Sequence, residues 1–422
     1  MLYKLVALAC FVCPLIGLIA IESGAQISLE AWGYPNGASI AFACYALLVA
    51  GTVAVSTRVQ WIRGLGSASH SVAPPRADMR AIMLRSVVAL APMTLFVLYS
   101  IGGLETLMGK VGAGEFRSNL GNGGALGYLI LKYYAPSILS FVLLNWMHSP
   151  DRGWSWGLIL ITALCAVIAS SFGFKSGVMT MLLPAAILIF WRTSYKIAAA
   201  VAVACGLLIF LGYATYEGVR SVPAAVLAFL NRLFVLQGDI AWSIWGQYLA
   251  GTEFPSYWNT LLPLLGGRAF TMLTGISTLQ VEAWVDSHFN LMATKIAGYP
   301  AEMIMQYGHN GSATVFSEGL VAGGIAGLAA FAVLAGLVLS ALYWFIDNRL
   351  KAGAYADASI AGSYFVMGVM AWLIGGGVET IMHISILVAA ISSRLLLLWI
   401  ELGTYQLFDQ TRRRFATLLP RN

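Results

Sequence analysis

The sequence predicts an all-α polytopic membrane protein with about ten transmembrane helices, both termini in the cytoplasm and one large helical loop on the outer side. Three observations carry that prediction. The 422 residues are 59% hydrophobic and 10% charged, with mean hydropathy +0.80, whereas a soluble domain carries about 25% charge. Several runs of roughly 20 residues lack charge, the length that crosses ~30 Å of hydrocarbon. The charges also alternate along the chain: fifteen of the 24 cations, but five of the 18 acids, fall in segments assigned to one side. The positive-inside rule makes that side the cytoplasm.

The elements follow in order. Apolar runs place spans at roughly 3–21, 38–56, 86–104, 125–147, 155–171, 176–192, 197–216, 315–345, 358–377 and 383–402. The first, Leu5 to Ile21, reads as a span and not as a cleaved signal, because no clear Ala-x-Ala site follows it. Spans one to seven occupy residues 1–216, and spans eight to ten with a basic cytoplasmic tail occupy 315–422. Between them, residues 217–314 form the large outer loop. It is rich in Trp, Tyr, Leu and Gly, and Val222 to Tyr248 carries apolar residues at helical spacing. That composition reads as short amphipathic helices packed on the outer leaflet or dipping into it, broken by Pro255, Pro263 and Pro300. No internal repeat is visible. The five cysteines all lie in apolar runs, where a free thiol behaves as a small hydrophobe, so neither a disulfide nor a metal cluster is expected.

Cations on the outer side cluster: Lys110, Arg117, Lys132, Lys175, Arg220, Arg232, Arg268 and Lys295. A cation at a membrane is costly unless paired, and the guanidinium fork suits phosphate. Two readings stay open. The group serves an anionic lipid head group such as a pyrophosphate, or it pairs with Glu115, Glu217, Asp239, Glu253, Glu282 and Asp286 and holds the loop down. Lys175 stands at the tip of the hairpin "SSFGFKSG", where the glycines leave room for a ligand near the backbone. Lys132 lies inside the fourth span, to snorkel outward or face a cavity. Arg394 reads as an ordinary anchor of the last span. For general-base work the candidates are Glu318, at the mouth of the eighth span, and His309 just before it. Glu379 and His383, four apart, share a face if helical, while Asp239 and His288 lie in the loop. There is no P-loop, G-x-G-x-x-G, H-E-x-x-H or G-x-S-x-G pattern. Nothing calls for a nucleotide, a nucleic acid, a metal or another cofactor.

Three stretches carry a family resemblance. They are the basic hairpin "GFKSG", the loop arginines in "EGVRS" and "FLNRLF", and the segment "FSEGLVAGGIAGLAAF" that opens a span after the large loop. Together with the span count, they make the chain resemble the Wzy-type O-antigen or oligosaccharide repeat-unit polymerases of bacterial inner membranes. The hairpin cation here is Lys175 where those proteins more often have Arg, and no aromatic residue follows Glu318 closely. The stretch "HNGSATVFSEGLVAG" is also similar to the end of the large loop in O-antigen ligases, which share the glycosyltransferase C-type fold expected here. A weaker alternative is a lipid-linked oligosaccharide transporter or flippase.

The resemblance implies a metal-independent glycosyltransferase in the bacterial inner membrane, with its site facing the periplasm. It would move a glycan from undecaprenyl diphosphate to the sugar hydroxyl of a lipid-linked repeat unit. Its partners would be that lipid-linked oligosaccharide, the bilayer and a chain-length regulator. Arg232, Arg220, Arg268, Arg117 and Lys175 would hold the diphosphate, with Glu318 or His309 as the base. Asn310, Asp239, Glu379, His383, Trp245 and Tyr248 would line the substrate site. The loop aromatics either stack on sugars or form an interfacial belt.

Overall fold

The computed structural model describes residues 1–24, 37–62, 78–111, 116, 123–149, 155–173, 177–216, 221–307 and 311–418. Every regular element among them is helical. Seven helices are long and apolar enough to cross a membrane: Leu2–Glu22, Ala38–Val59, Met79–Ser100, Gly124–His148, Thr314–Lys351, Tyr355–Gly375 and Glu379–Gly403. The chain is thus an all-α polytopic membrane protein. The other three expected spans coincide with helices Ser155–Ser171, Gly177–Ile189 and Tyr195–Tyr216. The first two have 17 and 13 residues, short of the roughly 20 that a full crossing takes.

Two compact units divide these helices. One comprises Met1–Ser67, Arg192–Trp344 and Tyr364–Leu387. Its first two spans are joined by Glu22, which accepts the backbone N–H of Gly37 at 2.8 Å and of Ser39 at 3.1 Å, and also the Ser39 hydroxyl. The carboxylate therefore caps the orphan donors that open the second helix. Tyr3 donates to the Leu339 carbonyl at 2.9 Å and ties the first span to Thr314–Lys351.

The helical spacing read over Val222 to Tyr248 is present as helix, with a bend and a packing partner the sequence did not show. Val222–Val235 and Gly238–Leu249, part of the expected outer loop, form a pair of helices bent by 40°. By length and composition the bent pair fits a broken span or a re-entrant loop. It packs along the first span at a backbone-to-backbone crossing. A Cβ on Gly17 would lie 2.0 Å from the Phe234 carbonyl oxygen, and one on Gly238 would lie 2.7 Å from the Leu18 nitrogen. Small residues at such a crossing are what lets membrane helices touch without a hydrophobic driving force between them. Gly17→Ala is expected to lower the thermal midpoint in detergent through overpacking of about 1–3 kcal/mol or more. Gly51→Ala, with open space around the added methyl, is expected to leave it unchanged; equal behaviour of the two variants would remove the crossing as a structural element.

The second unit comprises Ala68–Trp191, Phe345–Ser363 and Val388–Asn422. Its apolar centre joins Met83, Leu90, Ile138, Phe141, Ile161 and Phe172. Polar ties cross this core: Ser137 to Ser363 at 3.0 Å, and Arg85 to the Ile400 carbonyl at 3.0 Å. Arg394 reaches Asp357 at 3.2 Å, and Arg349 reaches the same carboxylate at 3.5 Å. The expected anchor of the last span is thus one arm of a three-residue ion cluster.

Candidate functional site

Helix Thr314–Lys351 is not one rod. Its backbone breaks at Gly323 and Gly324, the latter at φ 60°. Residues 314–322 form a short helix that folds back on residues 325–351. The glycines show how tightly: a Cβ on Gly319 would sit 2.6 Å from the Leu328 Cα, and one on Gly327 would sit 2.3 Å from the Gly319 carbonyl oxygen. In a straight helix, positions nine apart would be separated by about 13 Å. The stretch "EGLVAGGIAG" therefore lets the chain approach itself, where the sequence suggested approach by another helix or a lipid tail.

The fold-back carries Glu318 into the interior, with no exposed surface. Four donors converge on its carboxylate. Oε1 accepts the Tyr257 hydroxyl at 2.7 Å and the Val378 N–H at 2.7 Å. Oε2 accepts the Trp372 indole N–H at 2.8 Å and the Gly377 N–H at 3.0 Å. The two backbone donors are available because the chain unwinds after Gly375, with Gly376 and Gly377 both at positive φ. The same break is pinned from the other side by the Ala313 N–H, which donates to the Gly375 carbonyl at 3.0 Å. Phe289 and Phe331 pack edge-on against the Tyr257 ring. Burial, reinforced by the Glu318 carboxylate and the hydrogen bond donated to it, raises the Tyr257 phenol well above its ordinary value. Tyr257 therefore remains the donor of that pair at neutral pH.

The sequence placed Glu318 at an open mouth, ready to take a proton. The structure instead gives both of its oxygens two donors each and seals it from solvent, so no lone pair faces an incoming hydroxyl in this arrangement. Glu379 follows directly on the cradle, its Oε2 buried and without a hydrogen-bond partner among the described residues. The His383 N–H donates to the Glu379 carbonyl at 3.2 Å, the i to i−4 bond that stacks the two residues on one face. The helix Glu379–Met382 ends there, and His383 is extended. Its Nδ1 accepts the Ser385 N–H at 3.1 Å, at the start of the helix Ile384–Leu418.

The remaining candidates scatter. Asp239 is buried on the helix that packs along the first span. Trp245 packs against Phe316 and Tyr248, and Tyr248 closes on Gly324 at the break. Both aromatics are half-buried at the fold-back. Arg232 is exposed on a π-helical turn, Asn231–Val235, with no ion pair among the described residues. Lys295 is paired with Glu282 and, at 3.0 Å, with Asp286, the loop-fastening alternative for that cation. Lys132 lies over the Tyr128 ring at 5.4 Å. His288 packs on Trp284, and burial lowers its imidazole below the ordinary value despite the bond to the Trp284 carbonyl. His309, Asn310, Arg117, Lys175 and Arg220 lie outside the described residues, as does the side chain of Arg268.

Tyr257 and Trp372 are the functional neighbours that sequence reasoning missed. Tyr257 was legible only as one loop aromatic among several, and Trp372 only as an apolar residue of a span.

No protein-family model, no curated protein and no solved structure matches this chain.

Proposed function

We propose that this protein is a polysaccharide polymerase of the bacterial inner membrane, of the Wzy type it resembles. It transfers a glycan from undecaprenyl diphosphate to a sugar hydroxyl of a second lipid-linked repeat unit, on the periplasmic side. One observation supports the reading above the others. Glu318, the acid of the motif "FSEGLVAGG" that carries the resemblance, is the point where the large loop, a broken helix and an unwound turn between two helices are fastened together. Broken helices with exposed backbone donors are how membrane proteins build polar sites within apolar surroundings.

In the proposed reaction the acceptor oxygen bonds to the anomeric carbon. The bond from that carbon to phosphate breaks, and undecaprenyl diphosphate leaves with the electron pair. Arg232, with Arg220, Arg268, Arg117 and Lys175, neutralises the leaving charge. Glu318 positions the loop. The hydroxyl proton passes to His309, whose ordinary pKa suits that work.

The test is purified protein in vesicles with an undecaprenyl-diphosphate-linked repeat unit as the only glycan. A ladder of products is the expected result. No ladder, or transfer to lipid A-core instead, would replace the polymerase reading, the latter by the ligase. Arg232→Ala is expected to slow the ladder by about 10²–10³, the loss typical of removing one charge-stabilising group, with membrane insertion unchanged. Normal chain lengths in that variant would take Arg232 out of the site.

A further inference from the structure

We propose that residues 257–279 form a membrane-dipping apron: a non-spanning segment whose apolar face sits among the acyl chains of one leaflet. The segment consists of the 3₁₀ helix Tyr257–Leu265, the helix Gly267–Thr274 and the turn that follows. Between Glu253 and Glu282 the sequence holds a single charged residue, Arg268. Phe270 is buried and anchors the stretch, while five other large side chains are turned outward. Leu279 is 91% exposed, Met272 87% and Trp258 76%, with Leu265 and Leu273 also more than half exposed. Leaving such a contiguous apolar face in water is costly.

What covers the face follows from where it sits. Gly266, between the two short helices, comes within 3.4 Å of Ile384 measured from its would-be Cβ. Ile384 and Leu387 are exposed apolar residues in the opening turns of the Glu379–Gly403 span. The apron is therefore continuous with a surface that already faces lipid. With Arg268 as its single charge, the element offers a leaflet apolar area, the quantity with which interfacial binding strength scales.

The apron also bears on Glu318. Tyr257, which holds the carboxylate, is followed directly by Trp258, which points outward. Holding Trp258 in the leaflet fixes the chain that delivers the Tyr257 hydroxyl. This inference depends on the membrane and not on the proposed reaction.

The experiment uses the full chain, with its five cysteines replaced by alanine, in phosphatidylcholine vesicles. Single spin-labelled cysteines are placed at Met272 and Leu279. Leu387→Cys provides the lipid-facing reference, and Glu302→Cys, an exposed position in the first turn of the helix Ala301–Tyr307, the aqueous one. The expected result is an oxygen-to-nickel accessibility ratio at 272 and 279 equal to that at 387 and several-fold above that at 302. A ratio matching 302 places the face in water, and shielding from both reagents places it under a second copy or another protein; either overturns the proposal. Should the cysteine-free chain fail to fold, the wild type is irradiated with a photoactivatable phosphatidylcholine and its peptides mapped. Label in peptides covering 257–279 supports the apron. Label in the Ile384–Leu387 peptide without label in the apron refutes it.

Discussion

Glu318→Gln is expected to lower the thermal midpoint sharply and to abolish glycan transfer. The carboxylate accepts four hydrogen bonds, two at each oxygen. An amide of the same shape keeps one oxygen and turns the other into a donor. Two of the four donors then face an N–H group in a sealed interior. A buried donor left without a partner costs about 1–3 kcal/mol, so the loss should be roughly 2–6 kcal/mol. Tyr257→Phe removes one donor and leaves the carboxylate with three, so about 1 kcal/mol is expected there. Unfolding in detergent, followed for Glu318→Gln, Tyr257→Phe and the double variant, measures the coupling between the two directly. Additive effects would mean the pair does not act as a unit. Activity separates positioning from proton transfer. If Glu318 only positions, Tyr257→Phe should raise KM more than it lowers kcat and leave the pH profile of kcat in place. A displaced pH profile in Tyr257→Phe would return the base to Glu318.

The helical architecture was open to reading because hydropathy is additive along the chain. Each of the ten apolar runs coincides with a helix, and even the edges at Leu2–Glu22 and Tyr355–Gly375 fall near those expected. The helix Leu236–Leu249 was harder, since Asp239, Gln237 and Trp245 lower its apolar character, and the residues matched an interfacial helix as well as a broken span. Its neighbour, the first span, is set by Gly17, a residue with no signature of its own. The site was legible only in part. Glu318 stood out because an acid opening an apolar run is rare and costly. Its partners did not, because Tyr257 and Val378 lie 61 and 60 positions away and two of the four donors are backbone groups that any residue supplies. The glycines of "GLVAGGIAG" pointed to close packing without saying against what. Close approach by a second helix and by the same chain place the same demand on those positions.

Gly327→Ala should have the second large effect, because the fold-back that buries Glu318 has no room for a methyl group. The added carbon would lie 2.3 Å from the Gly319 carbonyl oxygen. That oxygen belongs to backbone, which no rotamer change can move. Relief requires residues 314–322 to swing away from residues 325–351, and Glu318 rides on the part that moves. The cost is therefore the overpacking strain, about 1–3 kcal/mol, or the loss of the four-donor cradle, whichever is smaller. The variant should unfold at lower temperature and lose transfer activity, although it touches no polar group. Gly323→Ala, four residues away, is the matched control. Gly323 has an extended φ of −175° and open space around the new methyl, so its variant should behave as wild type in both assays. Were Gly327→Ala also to behave as wild type, the chain would cross the bilayer here as a straight helix, and Glu318 would stand at an open mouth after all.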